Sequence, residues 1–87
     1  MELKIDDFMN KERKARLEDV TSQLEEAKNE LEDIINDEQD AYDSLPESFQ
    51  AGVRGDKMQE YIGLMEDAID KIESAIGFIE VRIINNK

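Results

Sequence analysis

The 87-residue chain has no cysteine, no histidine and no tryptophan, and each absence removes a class of chemistry. Without cysteine there is neither a disulfide framework nor a thiolate nucleophile. Without histidine there is no imidazole base, and the usual zinc ligands are gone with the two together. Proline occurs once and glycine four times, so few positions interrupt a helix. No apolar run approaches the roughly 20 residues that span a bilayer. The start, Met1-Glu2-Leu3-Lys4-Ile5-Asp6-Asp7, lacks the basic end and apolar run of a signal peptide. A cytoplasmic protein is therefore expected.

Chemistry in an enclosed pocket is not expected either, because so short a chain buries too little of itself to house a deep cavity alone. Ser22, Ser44, Ser48 and Ser74 have no histidine partner, and no glycine-rich phosphate loop is present. Bundle di-metal sites combine inward glutamates with a Glu-x-x-His pair, and residues 33–43 lack the spacing and central glycine of an EF-hand loop. The chain reads as a non-enzyme without metal or cofactor.

Positive charge is scarce as well. The 11 Lys and Arg stand against 23 Asp and Glu, for a net charge of −12, and the imbalance is local. Residues 1–16 carry +1, residues 17–43 carry −10 with Lys28 as their one cation, and residues 44–87 carry −3. Such a field opposes direct contact with nucleic acid or an anionic membrane and favours a basic protein surface.

What the chain does have is heptad spacing. Leu17, Val20, Leu24, Ala27, Leu31 and Ile34 alternate three and four apart, as do Met58, Tyr61, Met65, Ala68, Ile72, Ala75 and Ile79. The spacing predicts one apolar seam on each of two helices. The expected fold is all-α, an antiparallel helical hairpin, with residues 1–16 as an N-terminal overhang or arm. A helix over about 17–42, a loop with a short helical turn over 43–55 and a helix over about 56–84 follow. Ser44 and Glu47 read as a capping box around Pro46, and Leu45, Phe49 and Val53 as an apolar plug. Gly52 and Gly55 offer left-handed turn positions, and Asp56 a cap for the second helix. Arg54-Gly55-Asp56 is the tripeptide read by some adhesion receptors; its turn-and-cap role explains it without that function. Gly63 and Gly77 lie inside the second helix at the same heptad position.

Beside the second seam run Ile62, Ile69 and Ile76, with Leu64 and Phe78 on the other flank. One narrow partner helix cannot cover so wide an arc. These five residues are the expected self-association surface, and the expected assembly is a homodimer forming a four-helix bundle.

On the first helix, Glu18, Asp19, Glu25, Glu26, Glu32, Asp33 and Asp40 occupy the positions furthest from the predicted seam. Structural coiled coils alternate charge sign four residues apart, and this stretch does not. The stripe imitates a row of phosphates and suits a basic channel on a nucleic-acid-handling protein, with Ile5, Phe8 and Met9 as apolar anchors. The alternative is a self-assembling coiled-coil scaffold whose acidic surface only keeps it in solution.

The stretch Asp37-Glu38-Gln39-Asp40-Ala41-Tyr42-Asp43-Ser44-Leu45-Pro46-Glu47-Ser48-Phe49-Gln50, then Gly55, Met58 and Gln59-Glu60-Tyr61-Ile62, then Leu64-Met65-Glu66-Asp67-Ala68-Ile69, resembles small uncharacterised acidic helical proteins of phages and bacteria. The likeness covers roughly residues 31–79. It implies a phage or mobile-element setting, and with the acidic stripe the expectation becomes an inhibitor or modulator acting in the host cytoplasm. It implies no shared activity, so no functional residue is carried over from it.

Overall fold

The computed structural model describes residues 10–85. It is all-α among these residues: helix α1 spans Lys11–Asp43, a single-turn helix α2 spans Glu47–Gln50, and helix α3 spans Val53–Ile79 and continues as a π-helical segment over Glu80–Ile84. The expected anchors Ile5, Phe8 and Met9 lie outside the described residues.

Asn10 caps α1, its side-chain oxygen accepting from the Arg13 backbone N–H at 2.9 Å. Lys11–Arg16 are part of α1. At the other end Ser44 is the C-cap, and its Oγ donates to the Asp40 carbonyl at 2.9 Å. Ser44 thus closes the first helix instead of opening a capping box. Pro46 begins α2 with no side-chain cap. The Gln50 amide donates to the carbonyls of Tyr42 and Leu45, each at 3.1 Å, and so ties α2 to the end of α1, where the Tyr42 carbonyl also accepts from the Leu45 N–H at 3.0 Å.

The second helix begins earlier than its sequence signals suggest. Gly52 is its N-cap and Asp56 lies in its first turn. No described glycine has positive φ, so left-handed turns are not what the glycines supply. Gly55 instead permits close packing: a Cβ there would fall on the Gln50 carbonyl and stand 2.8 Å from the Gln50 Cα. The expected plug does not form, since Phe49 is 51% and Val53 78% exposed.

The two long helices pack along each other, and α1 also meets the π segment. Lys28 reaches Glu73, while Glu32, Ile35, Asn36 and Gln39 share a groove with Ile62, Glu66, Ile69 and Asp70. Higher numbers on α1 thus meet lower numbers on α3, so α3 runs back along α1. The molecule is one helix thick, with extents of 71 × 15 × 12 Å.

The seam differs from the one that spacing favours. The buried apolar side chains among the described residues are Ile62, Ile69 and Ile76, at 5%, 9% and 6% exposure. Met58, Met65, Ile72, Ile79 and Ile83, all half-buried, complete that row on α3, whereas Tyr61 is 53% exposed. On α1 the packed row is Leu17, Thr21, Leu24, Lys28, Leu31, Ile35 and Tyr42, none of them exposed. Val20 and Ile34 point outward at 40% and 47% exposure. The physical reason lies on α3. Burying the isoleucine row removes more apolar area from water than burying Tyr61, Ala68 and Ala75 in its place, at about 25 cal/mol per Å². The polar residues that α1 then turns inward are satisfied: Thr21 Oγ1 donates to the Glu18 carbonyl at 2.7 Å, and Lys28 is ion-paired.

The glycines give a paired test of this packing. Gly55→Ala should destabilise the fold by roughly 1–3 kcal/mol, because the added methyl meets backbone that cannot move aside. Gly63→Ala should stabilise it by up to about 1 kcal/mol through helix propensity, since nothing lies within 4 Å of a Cβ there. Urea unfolding midpoints of the two variants should move in opposite directions.

Candidate protein-interaction faces

A single layer of two helices has two broad faces, one on each side of its seam. On the first, an open groove runs between the helices with Ile35, Ile62 and Ile69 along its floor and Glu32, Glu66 and Asp70 along its walls. Seven-residue repeats carry the same walls along the molecule, through Glu18 and Glu25 on α1 and Glu73 and Glu80 on α3. This face is acidic.

The seven carboxylates of the predicted stripe, Glu18, Asp19, Glu25, Glu26, Glu32, Asp33 and Asp40, are all exposed. They do not all lie furthest from the seam. Because α1 is rotated from its expected orientation, Glu18, Glu25 and Glu32 flank the seam on the groove side, and Asp19, Glu26, Asp33 and Asp40 form the outer edge. Glu66, Asp70, Glu73 and Glu80 extend the acidic face onto α3. Their signal in the sequence is the position next to each isoleucine of the 62, 69, 76 row, which only the corrected seam reveals.

Lys28 is the one cation between residues 17 and 43. Its ammonium lies 3.3 Å from Glu25 Oε2 and 3.7 Å from Glu73 Oε1, and its side chain is 19% exposed. The aliphatic stem occupies a seam position while the charge reaches the acidic face. Its pKa is raised above 10.5, chiefly by the hydrogen bond and charge of Glu25, with Glu73 and Glu32 adding to the effect and burial opposing it. Among the described residues no three carboxylates converge as a metal-holding group.

The second broad face is apolar. Val20, Ala27 and Ile34 on α1, and Tyr61, Ala68 and Ala75 on α3, sit on the side of the seam away from Glu25 and Glu73. Leu64 and Phe78 adjoin them at 55% and 60% exposure. Two of the five residues expected to mediate self-association therefore remain on the surface. The other three, Ile62, Ile69 and Ile76, are buried within the chain itself, because they form its own seam. Arg54-Gly55-Asp56 lies in the first turns of α3 with Gly55 buried, so the tripeptide is a packing element and not a displayed loop.

No helix among the described residues is long and apolar enough to cross a membrane. Comparison with protein-family models, curated proteins and solved structures finds no match.

The Lys28 pair has a testable pH signature. Its folded pKa is raised, so its stabilisation is fully present below 10.5 and is lost as pH rises through the folded value. Unfolding midpoints measured from pH 8 to 11 should fall further for the parent than for Lys28→Met. Parallel curves would show that the pair contributes nothing to stability.

Proposed function

We propose that this protein is a non-enzymatic protein-binding module, an antiparallel helical hairpin whose acidic side engages a basic protein surface. The observation that carries the reading is the groove walled by Glu32, Glu66 and Asp70, bordered by exposed carboxylates on both helices and by no cation other than Lys28 between residues 17 and 43. Rows of carboxylates about 10 Å apart along a helix present regularly spaced negative charge. A surface built to hold a nucleic-acid backbone presents the complementary pattern of Lys and Arg. The partner that fits is the basic channel of a nucleic-acid-handling protein, and a phage-borne modulator acting in its host's cytoplasm is the setting in which such a mimic would work. The apolar grooves of ordinary helix-binding proteins fit this side poorly, because each carboxylate would have to be desolvated without a partner.

The outer row offers the cleaner test, because none of its members holds Lys28 in place. In Asp19→Asn, Glu26→Gln, Asp33→Asn and Asp40→Asn combined, helical circular dichroism should persist or increase as repulsion falls. Capture of basic nucleic-acid-binding proteins from a bacterial lysate, quantified by mass spectrometry, should drop at least tenfold relative to the parent. The parent's own capture should weaken steeply between about 0.05 and 0.2 M salt. Equal capture by parent and variant would remove the outer row from function, and equal capture after Glu66→Gln and Asp70→Asn are added would remove the acidic side and leave a self-assembling scaffold as the reading.

A further inference from the structure

Among the described residues the apolar broad face meets no other element, its one cover being the Arg82 guanidinium 5.7 Å from the Phe78 ring centre. We infer that its occupant is a second copy of the same chain, packed face to face about a two-fold axis parallel to the helices. This inference does not rest on the acidic-side reading, which concerns the opposite face.

Surface area argues first. The chain exposes 6672 Å² for its 10.1 kDa, whereas a folded monomer of that mass exposes about 5,300 Å² by the usual scaling. The excess of roughly 1,400 Å² exceeds the ~800 Å² per partner that a standard interface removes. Sequence pattern argues next. A helix in a two-layer bundle carries a third apolar row beside its seam, and both helices have that row on the same side: Val20, Ala27 and Ile34 on α1, Tyr61, Ala68 and Ala75 on α3. The small residues let a second layer approach closely, while Leu64 and Phe78 flank them. Both faces of the resulting four-helix bundle would then be the acidic ones, which stay in water.

Charge fixes the arrangement. Lys28 and Glu73 are level with each other along the molecule. Glu30, two residues further along α1, is therefore level with Lys71, two residues back along α3. Both are exposed, both lie on the outer margins of the apolar face, and neither has an ion-pair partner among the described residues. A two-fold axis along the helices preserves level and sets α3 over the partner's α1. Each Lys71 then stands opposite the partner's Glu30, twice per dimer. An axis across the helices would set α1 on α1 and lose both pairs.

Leu64, Phe78, Lys71 and Glu30 are all exposed in the single chain, so their substitution leaves its seam intact. Sedimentation equilibrium of the parent at tens of micromolar should give twice the 10.1 kDa chain mass. Leu64→Glu with Phe78→Glu should give a helical species of single mass. Lys71→Glu or Glu30→Lys alone should each weaken the dimer roughly tenfold, since two attractive pairs become repulsive. An equimolar mixture of those two variants should recover parental affinity, because both pairs reform across the mixed dimer. A folded parent of single mass would overturn the inference and assign the face to a different protein. A dimer that survives Leu64→Glu with Phe78→Glu would overturn the face, and singles without effect or a mixture without recovery would overturn the axis.

Discussion

The burial of one isoleucine row is the constraint on which the rest of the structure depends. Ile62, Ile69 and Ile76 recur every seven residues, so they form a single ridge along α3 and all meet α1 together. Each contributes about 1.5–3 kcal/mol on removal from water. The half-buried leucines at 17, 24 and 31 supply the opposing surface. Once that ridge is turned inward, the orientation of every other residue on α3 is set. The glutamates beside it line one side, and the alanines and Tyr61 line the other.

The matching rotation of α1 brings polar residues into the seam, and their satisfaction is what makes it tolerable. A buried hydroxyl without a partner would cost about 1–3 kcal/mol, and a lysine at a seam position is tolerated only where its charge can leave the seam. Thr21 bonds back to a carbonyl of its own helix, and Lys28 extends along the seam until its charge lies between Glu25 and Glu73. That ion pair joins the two helices at a defined level and opposes sliding of one past the other. A polar residue at a seam position commonly serves this purpose, at some loss of stability. At the reversal, Gln50 and Gly55 act locally: the amide of one ties α2 to the end of α1, and the missing side chain of the other lets α3 begin against α2.

A one-layer molecule divided in this way has two faces of opposite chemistry. Electrostatic attraction acts over a Debye length of about 8–10 Å at moderate salt and draws basic surfaces toward the acidic side. The apolar side offers attraction only at contact, and is selective through shape and through the charges at its margins. Under the two proposals, one face would capture an unlike partner and the other would pair with a like one, and the two roles would not compete for surface.

The heptad spacing, the single proline and the acidic excess were enough to predict an all-α chain with a break near Pro46, a first helix ending at about Tyr42, one residue short of the observed end at Asp43, and a carboxylate-rich surface on α1. Those features are local, fixed by periodicity, by a missing backbone donor and by composition. The orientation of each helix about its own axis was not legible, because on α1 the row through Val20, Ala27 and Ile34 is more apolar than the row through Thr21, Lys28 and Ile35 that is packed. Nor was the role of Gly55, whose constraint comes from Gln50 approaching from another element. Only the tertiary structure decided which isoleucines were core, which carboxylates flanked the groove and which apolar residues stayed outside. The choice depends on the area and polar groups of both helices at once, and neither helix's sequence carries that sum.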